Sequence, residues 1–373
     1  MKRLAWEVER RWDAARLARR ADQPPEHFRI EPFLGHARAG GGPVVVRGRV
    51  LDNPESTVAE EGERVWQAAL RTMRRFLTDE LPDVPLTVEV GGVTASVVTD
   101  ADGYFHAEVT TPDLAPAGGG PDSAPGRAEP WAEGRVELRS PYRGLDDGHG
   151  TAVRIRVPGP ATRFGVISDI DDTIIHTGAQ RLGAMIRRTV TGSELTRSPL
   201  IGAPELYRAL AGNTGGDANP VFYVSSSPWN LHGFLTAFLE HHAFPLGPLL
   251  LRDLFGVEGY RDRTDVKLHS IAEVLEVHPG LPFVLIGDSG QQDPEIYAQV
   301  ITEHPNRILA AYIREVRLDP GDGRVEAITD SWGGDVPFVV ANDSTAMADH
   351  AVTLDLITPA DARRVAEAST AAG

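Results

Sequence analysis

Cysteine is absent from this chain of 373 residues, which excludes disulfides and thiolate metal sites. No apolar run approaches the roughly 18 residues of a membrane-spanning helix, and residues 1–20 lack the apolar stretch of a signal peptide. Positive charge is short as well: 37 Lys and Arg stand against 53 Asp and Glu, a net −16. That balance disfavours general nucleic-acid binding, which needs a basic surface, and nonspecific adhesion to anionic membranes. Lysine itself is nearly missing, with Lys2 and Lys267 the two lysines among those 37 basic residues. What is present is 41% hydrophobic residues, ample for sizeable cores, in a chain long enough for two domains.

The most informative string is Ser168-Asp169-Ile170-Asp171-Asp172-Thr173-Ile174. It follows the apolar run 164–167, which reads as a buried strand. Two carboxylates, Asp169 and Asp171, are thus delivered at a strand's C-terminal end, where ligands bind in open parallel α/β sheets. Acids at i and i+2 there suit metal-dependent phosphoryl transfer, although Asp171 and Asp172 can equally cap the next helix. A second strand, 220–224, runs into Ser225, Ser226 and Ser227, then Pro228, a plausible first turn of a helix. Hydroxyls and free N–H groups at a helix start can hold a phosphate, though serines also cap helices without a ligand.

Lys267 is the one interior lysine in an arginine-rich chain. A lysine is a compact point charge where arginine is a planar fork, so its retention fits neutralisation of a single phosphoryl oxygen, or else it is a chance surface cation. A third strand, 282–286, ends in Gly287-Asp288 and is followed by Asp293. Magnesium takes near-octahedral oxygen ligands, commonly one or two carboxylates. Asp288 is placed to reach a metal held by Asp169, while Asp293 is either a further ligand, an orienting group or a helix N-cap.

These four elements in this order resemble the signature of the haloacid dehalogenase superfamily. The likeness is closer to one branch, the actin-patch phosphatidate phosphatases and their bacterial relatives, through SDIDDTI at 168–174, FYVSSSPWNL at 222–231, GPLLLRD at 247–253, LPFVLIGDSGQQDPEIY at 281–297 and RILAAYIREV at 307–316. Ser226, Glu315 and Val266 depart from the residues expected at their positions. The resemblance implies an Mg²⁺-dependent phosphatase working through an aspartyl-phosphate. Asp169 is then the nucleophile, Asp171 the general acid and base, and Lys267 the cation on the phosphoryl group. Ser225, Ser226 and Thr173 are the phosphate contacts. Asp169, Asp171 (through its carbonyl), Asp288 and Asp293 form the metal set.

Motif spacing bears on the substrate. Neither the interval from Asp169 to Ser225 nor that from Ser225 to Lys267 holds a full cap domain, although 176–196 is long enough for a short flap. An open site suits a substrate too large to engulf, such as a lipid head group, a phosphoprotein or a polynucleotide end. Upstream, 44–51, 86–90, 95–98, 104–109, 134–138 and 153–157 read as short strands of a β-sandwich, with a helix at 63–77, an Asp-Gly turn at 100–103 and a Pro/Gly/Ala-rich loop at 115–129. Residues 1–20 hold seven basic and three acidic groups, with Leu4, Val8, Trp12 and Ala15 at helical spacing. That pattern packs on its own domain or lies on a membrane surface.

The expected organisation is a helix and linker at 1–40, an all-β sandwich at 41–160, a haloacid-dehalogenase-like α/β domain with a parallel sheet and minimal cap at 161–345, and a helical tail at 346–373. The expected activity is phosphatidate or related phospholipid hydrolysis with Mg²⁺, in the cytoplasm or peripherally at a membrane surface. The alternatives are a phosphoprotein or nucleic-acid-end phosphatase of the same fold, or an inert adaptor that binds partners through the sandwich.

Overall fold

The computed structural model describes residues 24–53, 80–116, 130–139, 141–146, 148–159, 162–171, 173–174, 200–212, 219–252, 263–315, 328 and 332–371. The expected helices at 1–20 and 63–77, the flap at 176–196 and most of the 115–129 loop lie outside them. The chain divides into two compact units, one of Met1–His36, Gly42–Asp113 and Glu133–Ile155, the other of Ala37–Gly41, Leu114–Ala132 and Arg156–Gly373.

The upstream part contributes an eight-stranded sheet made of β1 (Phe28–Pro32), β2 (Gly35–Ala37), β3 (Gly42–Asp52), β4 (Pro85–Val90), β5 (Val93–Val98), β6 (Tyr104–Thr111), β7 (Trp131–Leu138) and β8 (Gly150–Arg156). The strands expected from the sequence are here, each within a few residues of its expected bounds. Residues 28–37, read from the sequence as linker, instead form β1 and β2; Phe28-Arg29-Ile30-Glu31 alternates apolar and polar as a strand does, and β2 is three residues long. β3 is long enough to pair antiparallel with β6 along 42–49 and with β1 along 48–52. Burial alternates along β4 and β6, as it does in strands with one face on a core. The Asp-Gly turn is a structural hairpin: Asp100 Oδ1 accepts from the N–H groups of Asp102 and Tyr104, both at 2.9 Å.

The downstream unit is built on six parallel strands: β9 (Gly165–Asp169), β10 (Val221–Pro228), β11 (Leu249–Arg252), β12 (Phe283–Asp288), β13 (Ile308–Arg314) and β14 (Phe338–Ala341). β9 and β12 are buried at every position, which is why they read as unbroken apolar runs rather than alternating ones. Among the described residues, six helices accompany them: α1 (Ala203–Ala211), α2 (His232–His241), α3 (Arg263–Val277), α4 (Asp293–Glu303), α5 (Ser344–Thr353) and α6 (Pro359–Ala371). The side chains of α3 and α4 share a core with β9, β10, β12 and β13 through Ile167, Phe222, Val274, Leu285 and Val300. α5 and α6 pack with α1, so the helical tail is part of this unit's packing.

Strand order is β11-β10-β9-β12-β13-β14. Counted from β9, that is 3-2-1-4-5-6, the order of a doubly wound sheet. The winding reverses between β9 and β12, so their C-terminal ends flank the crevice where such sheets bind ligands. One expectation is corrected: Ser225 to Pro228 do not begin a helix. They continue β10, a single 3-10 turn at Trp229–Leu231 follows, and α2 starts at His232. Among the described residues, no helix is long and apolar enough to cross a membrane.

Candidate active site

The switch point gathers the chemistry. Asp169 closes β9 and Asp288 closes β12, on strands that pair in parallel. Asp171 lies two residues beyond β9. Lys267 stands at i, with Ile271 and Val274 at i+4 and i+7, on the buried face of α3. Asp293 likewise shares the buried stripe of α4 with Ile296, Tyr297 and Val300. Helical periodicity thus carries one cation and one anion into the interior, each in or near the first turn of its helix. A first turn is also where a carboxylate gains from the helix dipole.

Burial is near total: Lys267 is 3% exposed, Asp169 1%, and Asp288 and Asp293 0%. Lys267 is therefore no chance surface cation. Its ammonium pairs with Asp169 Oδ1 at 2.7 Å and donates to Asp293 Oδ1 at 2.5 Å. The other Asp293 oxygen accepts from the Asp288 N–H at 3.1 Å. Asp293 is not an N-cap, since Gln292 holds that position. With both carboxylate oxygens engaged, Asp293 fixes Lys267 from one side and the β12 tip from the other.

Asp288 is oriented by its own turn. Its Oδ1 accepts from the N–H groups of Gly290 at 2.7 Å and Gln291 at 3.0 Å, and its Oδ2 from Gln291 Nε2 at 3.3 Å. Asp171 Oδ2 accepts from two hydroxyls, Ser225 at 3.2 Å and Ser227 at 3.3 Å, and the Ser227 N–H donates to Ser225 Oγ at 3.0 Å. Thr173 Oγ1 donates to Asp169 Oδ2 at 3.3 Å. Below the site, Ser168 Oγ donates to the Asp169 carbonyl at 2.7 Å and shares a 2.5 Å hydrogen bond with the Tyr207 hydroxyl.

Of the sequence candidates, Asp169, Asp171, Thr173, Ser225, Lys267, Asp288 and Asp293 thus converge. Ser226 is half-buried, and strand alternation sends it to the face opposite Ser225 and Ser227. Ser227, Gln291, Ser168 and Tyr207 were not singled out from the sequence. Period-two alternation along β10 would have found Ser227; nothing local marks Gln291.

Four carboxylates surround one ammonium in this cluster. Burial drives the Asp169 carboxyl well above the ordinary carboxylate range; Lys267 pulls it down, but Asp293, Asp288 and Asp171 push it back up. Burial also works against the Lys267 charge, but Asp169 and Asp293 outweigh it and hold the ammonium protonated. The surplus of buried negative charge calls for a further cation. Ligand oxygens of Asp169, Asp288 and Asp293 lie within 4.8 Å of one another, and an all-oxygen set suits a hard divalent ion. The residues therefore fit a divalent metal.

Comparison with known proteins bears on the same segment. Residues 164–315 match the family model described as phosphatidate phosphatase APP1, catalytic domain. The chain is 29% identical over 248 residues to phosphatidate phosphatase APP1 of Saccharomyces cerevisiae, covering 64% of this chain and 39% of that protein. It is 31% identical over 159 residues to an uncharacterized protein of Schizosaccharomyces pombe, covering 42% of this chain and 26% of that one. The chain thus spans well under half the length of these relatives. Among solved structures, a β-glucuronidase of Bifidobacterium dentium aligns at a TM-score of 0.25 and 8% identity over 86% of this chain and 61% of that one, too low to inform the fold.

Proposed function

We propose, from a chain whose residues 164–315 belong to the phosphatidate phosphatase APP1 catalytic-domain family, that this protein is an Mg²⁺-dependent phosphoric monoester hydrolase whose substrate is phosphatidate or a related phospholipid. The observation that carries the reading is the buried group of Asp169, Asp171, Asp288 and Lys267 at the switch point between β9 and β12. In this reading 161–345 is a haloacid-dehalogenase-like domain, 41–160 a β-sandwich, and the protein is cytoplasmic or peripheral at a membrane.

The chemistry follows from the residues. An Asp169 carboxylate oxygen attacks phosphorus, and the bond from phosphorus to the leaving alcohol breaks. Asp171 gives that alcohol its proton, with its carboxyl held by Ser225 and Ser227. Asp171 then takes a proton from the water that attacks the aspartyl-phosphate, and inorganic phosphate leaves with Asp169 restored. A carboxylate approaching a phosphate dianion is repelled unless positive charge screens both. Lys267 supplies part of it from 2.7 Å, and Asp293 keeps that ammonium aimed. A divalent ion would be held by Asp169, the Asp171 carbonyl and Asp288, and would supply the remaining positive charge as Lewis acid and template. Asp293, which joins Lys267 Nζ to the Asp288 N–H, serves as an orienting group in this scheme.

Phosphate release from phosphatidate, lysophosphatidate, phosphopeptides and 3′-phosphorylated oligonucleotides, with and without Mg²⁺, tests the proposal. Metal-dependent release from the lipids is the expected result. Preference for the peptide or the oligonucleotide moves the substrate to that class. No release from any of them returns the chain to the adaptor reading, which the intact acid and lysine set argues against.

A further inference from the structure

Gln291 has no part in the chemistry above, yet it touches both halves of the metal set. Its backbone N–H donates to Asp288 Oδ1 at 3.0 Å. Its side-chain amide nitrogen donates to Asp288 Oδ2 and to the Asp171 backbone carbonyl, each at 3.3 Å, across 120 residues of sequence. Both side-chain partners are acceptors, so the amide must present its NH₂ and not its oxygen. Two hydrogens on one nitrogen then serve two acceptors on two different strand ends. The side chain is half-buried, in the turn between β12 and α4.

We infer that Gln291 is a positioning residue that braces the cation site, holding the Asp171 carbonyl and the Asp288 carboxylate at a fixed separation so that they are ready for a divalent ion. The inference rests on the metal-dependent reading above and extends it. Two oxygens on separate loops diverge unless something ties them, because each carries partial or full negative charge and the two repel. A neutral amide donor draws both toward itself without adding charge that competes with the ion, which a lysine or arginine in the same place would do. Hydrogen-bonded partners of metal ligands commonly change metal affinity by about 10- to 100-fold when removed.

The test is calorimetric titration of Mg²⁺ into the metal-stripped full chain and into Gln291→Ala and Gln291→Met, the second keeping side-chain length while removing the donor. Thermal unfolding without metal is measured in parallel. Both variants are expected to bind Mg²⁺ about 10- to 100-fold more weakly than wild type while melting, metal-free, close to it. The Mg²⁺ concentration for half-maximal turnover rises by the same factor, with the rate at saturating Mg²⁺ largely restored. Unchanged affinity in Gln291→Met overturns the brace, since packing alone would then suffice. Tighter binding in either variant also overturns it, because the amide would then be a competitor of the ion. Absence of Mg²⁺ binding by wild type is a separate failure, that of the metal-dependent reading itself.

Discussion

Asp169 and Lys267 have opposite reasons to be buried, and substitution separates them. Asp169→Asn keeps shape but removes the attacking charge, so phosphate release is expected to fall by several orders of magnitude while the fold persists. Retention of more than about a tenth of the wild-type rate excludes the covalent route. Lys267→Ala leaves Asp169 and Asp293 facing each other without their ammonium, and loss of one partner of a buried pair destabilises by about 3–5 kcal/mol. Lys267→Arg is expected to be nearly as harmful, because a planar fork does not fit between two carboxylates spaced for a point charge; urea denaturation together with turnover measures both. The Asp169 carboxyl also gives a pH signature. Its folded-state pKa is raised, with burial the largest cause, so the group favours folding at low pH. That stability is lost as pH rises through the folded pKa. The neutral Asn variant escapes this loss. In metal-free buffer the stability of Asp169→Asn relative to wild type should therefore grow as pH rises above the ordinary aspartate range of about 4; a constant difference would mean that Asp169 is ionised throughout.

At the level of elements, β10 and β12 set side chains by alternation and close packing. Ser225 and Ser227 face Asp171 while Ser226 faces away, so Ser225→Ala and Ser227→Ala should each lower turnover more than Ser226→Ala does. Equal effects at all three positions would show that the β10 tip twists out of its strand geometry during the reaction. Gly287 is needed for a different reason. A Cβ there would lie 2.6 Å from Asp293 Oδ2 and 2.8 Å from Asp293 Cβ, within the space that lets Asp293 reach both Lys267 and the Asp288 N–H. Gly287→Ala is expected to displace that carboxylate and reduce turnover on the order of a hundredfold, the size associated with misplacement of about 1 Å. An Ala variant with wild-type kinetics would show that Asp293 is dispensable to the alignment of Lys267.

On the scale of the whole molecule, the stretch of chain from Ser225 to Lys267 is largely taken up by the end of β10, a 3-10 turn, α2, β11 and the start of α3. The motif spacing leaves no room for a full cap domain, and an uncapped crevice relies on its substrate, or the surface bearing it, to exclude water. Phosphatidate held in a micelle or bilayer should therefore show a much higher kcat/KM than soluble glycerol phosphate with the same reactive group, because remote binding energy is spent at the reacting centre. Equal efficiency on both would remove the lipid reading and leave the phosphoprotein or nucleic-acid alternative.

The acids, the serines and the single interior lysine were legible in the sequence because each follows or sits within an apolar run whose period can be read locally. Asp169 and Asp288 end runs of strand length, and Lys267 breaks an arginine habit. The strands of the upstream sheet other than β1 and β2 were legible for the same reason; β1 carries the same alternation yet was read as linker, while β2 is only three residues long. That Asp293 joins Lys267 to the Asp288 N–H and does not cap its helix, and that Ser227 and not Ser226 meets Asp171, depended on directions in space that composition does not carry. Gln291 was invisible, since its partners lie on another strand end 120 residues away. By itself, then, the sequence determined the chemical inventory and the local elements, which short-range sterics and burial patterns encode. Tertiary structure alone decided the 3-2-1-4-5-6 order that sets β9 beside β12, because strand pairing joins segments far apart in the chain and is selected by the packing of the whole core.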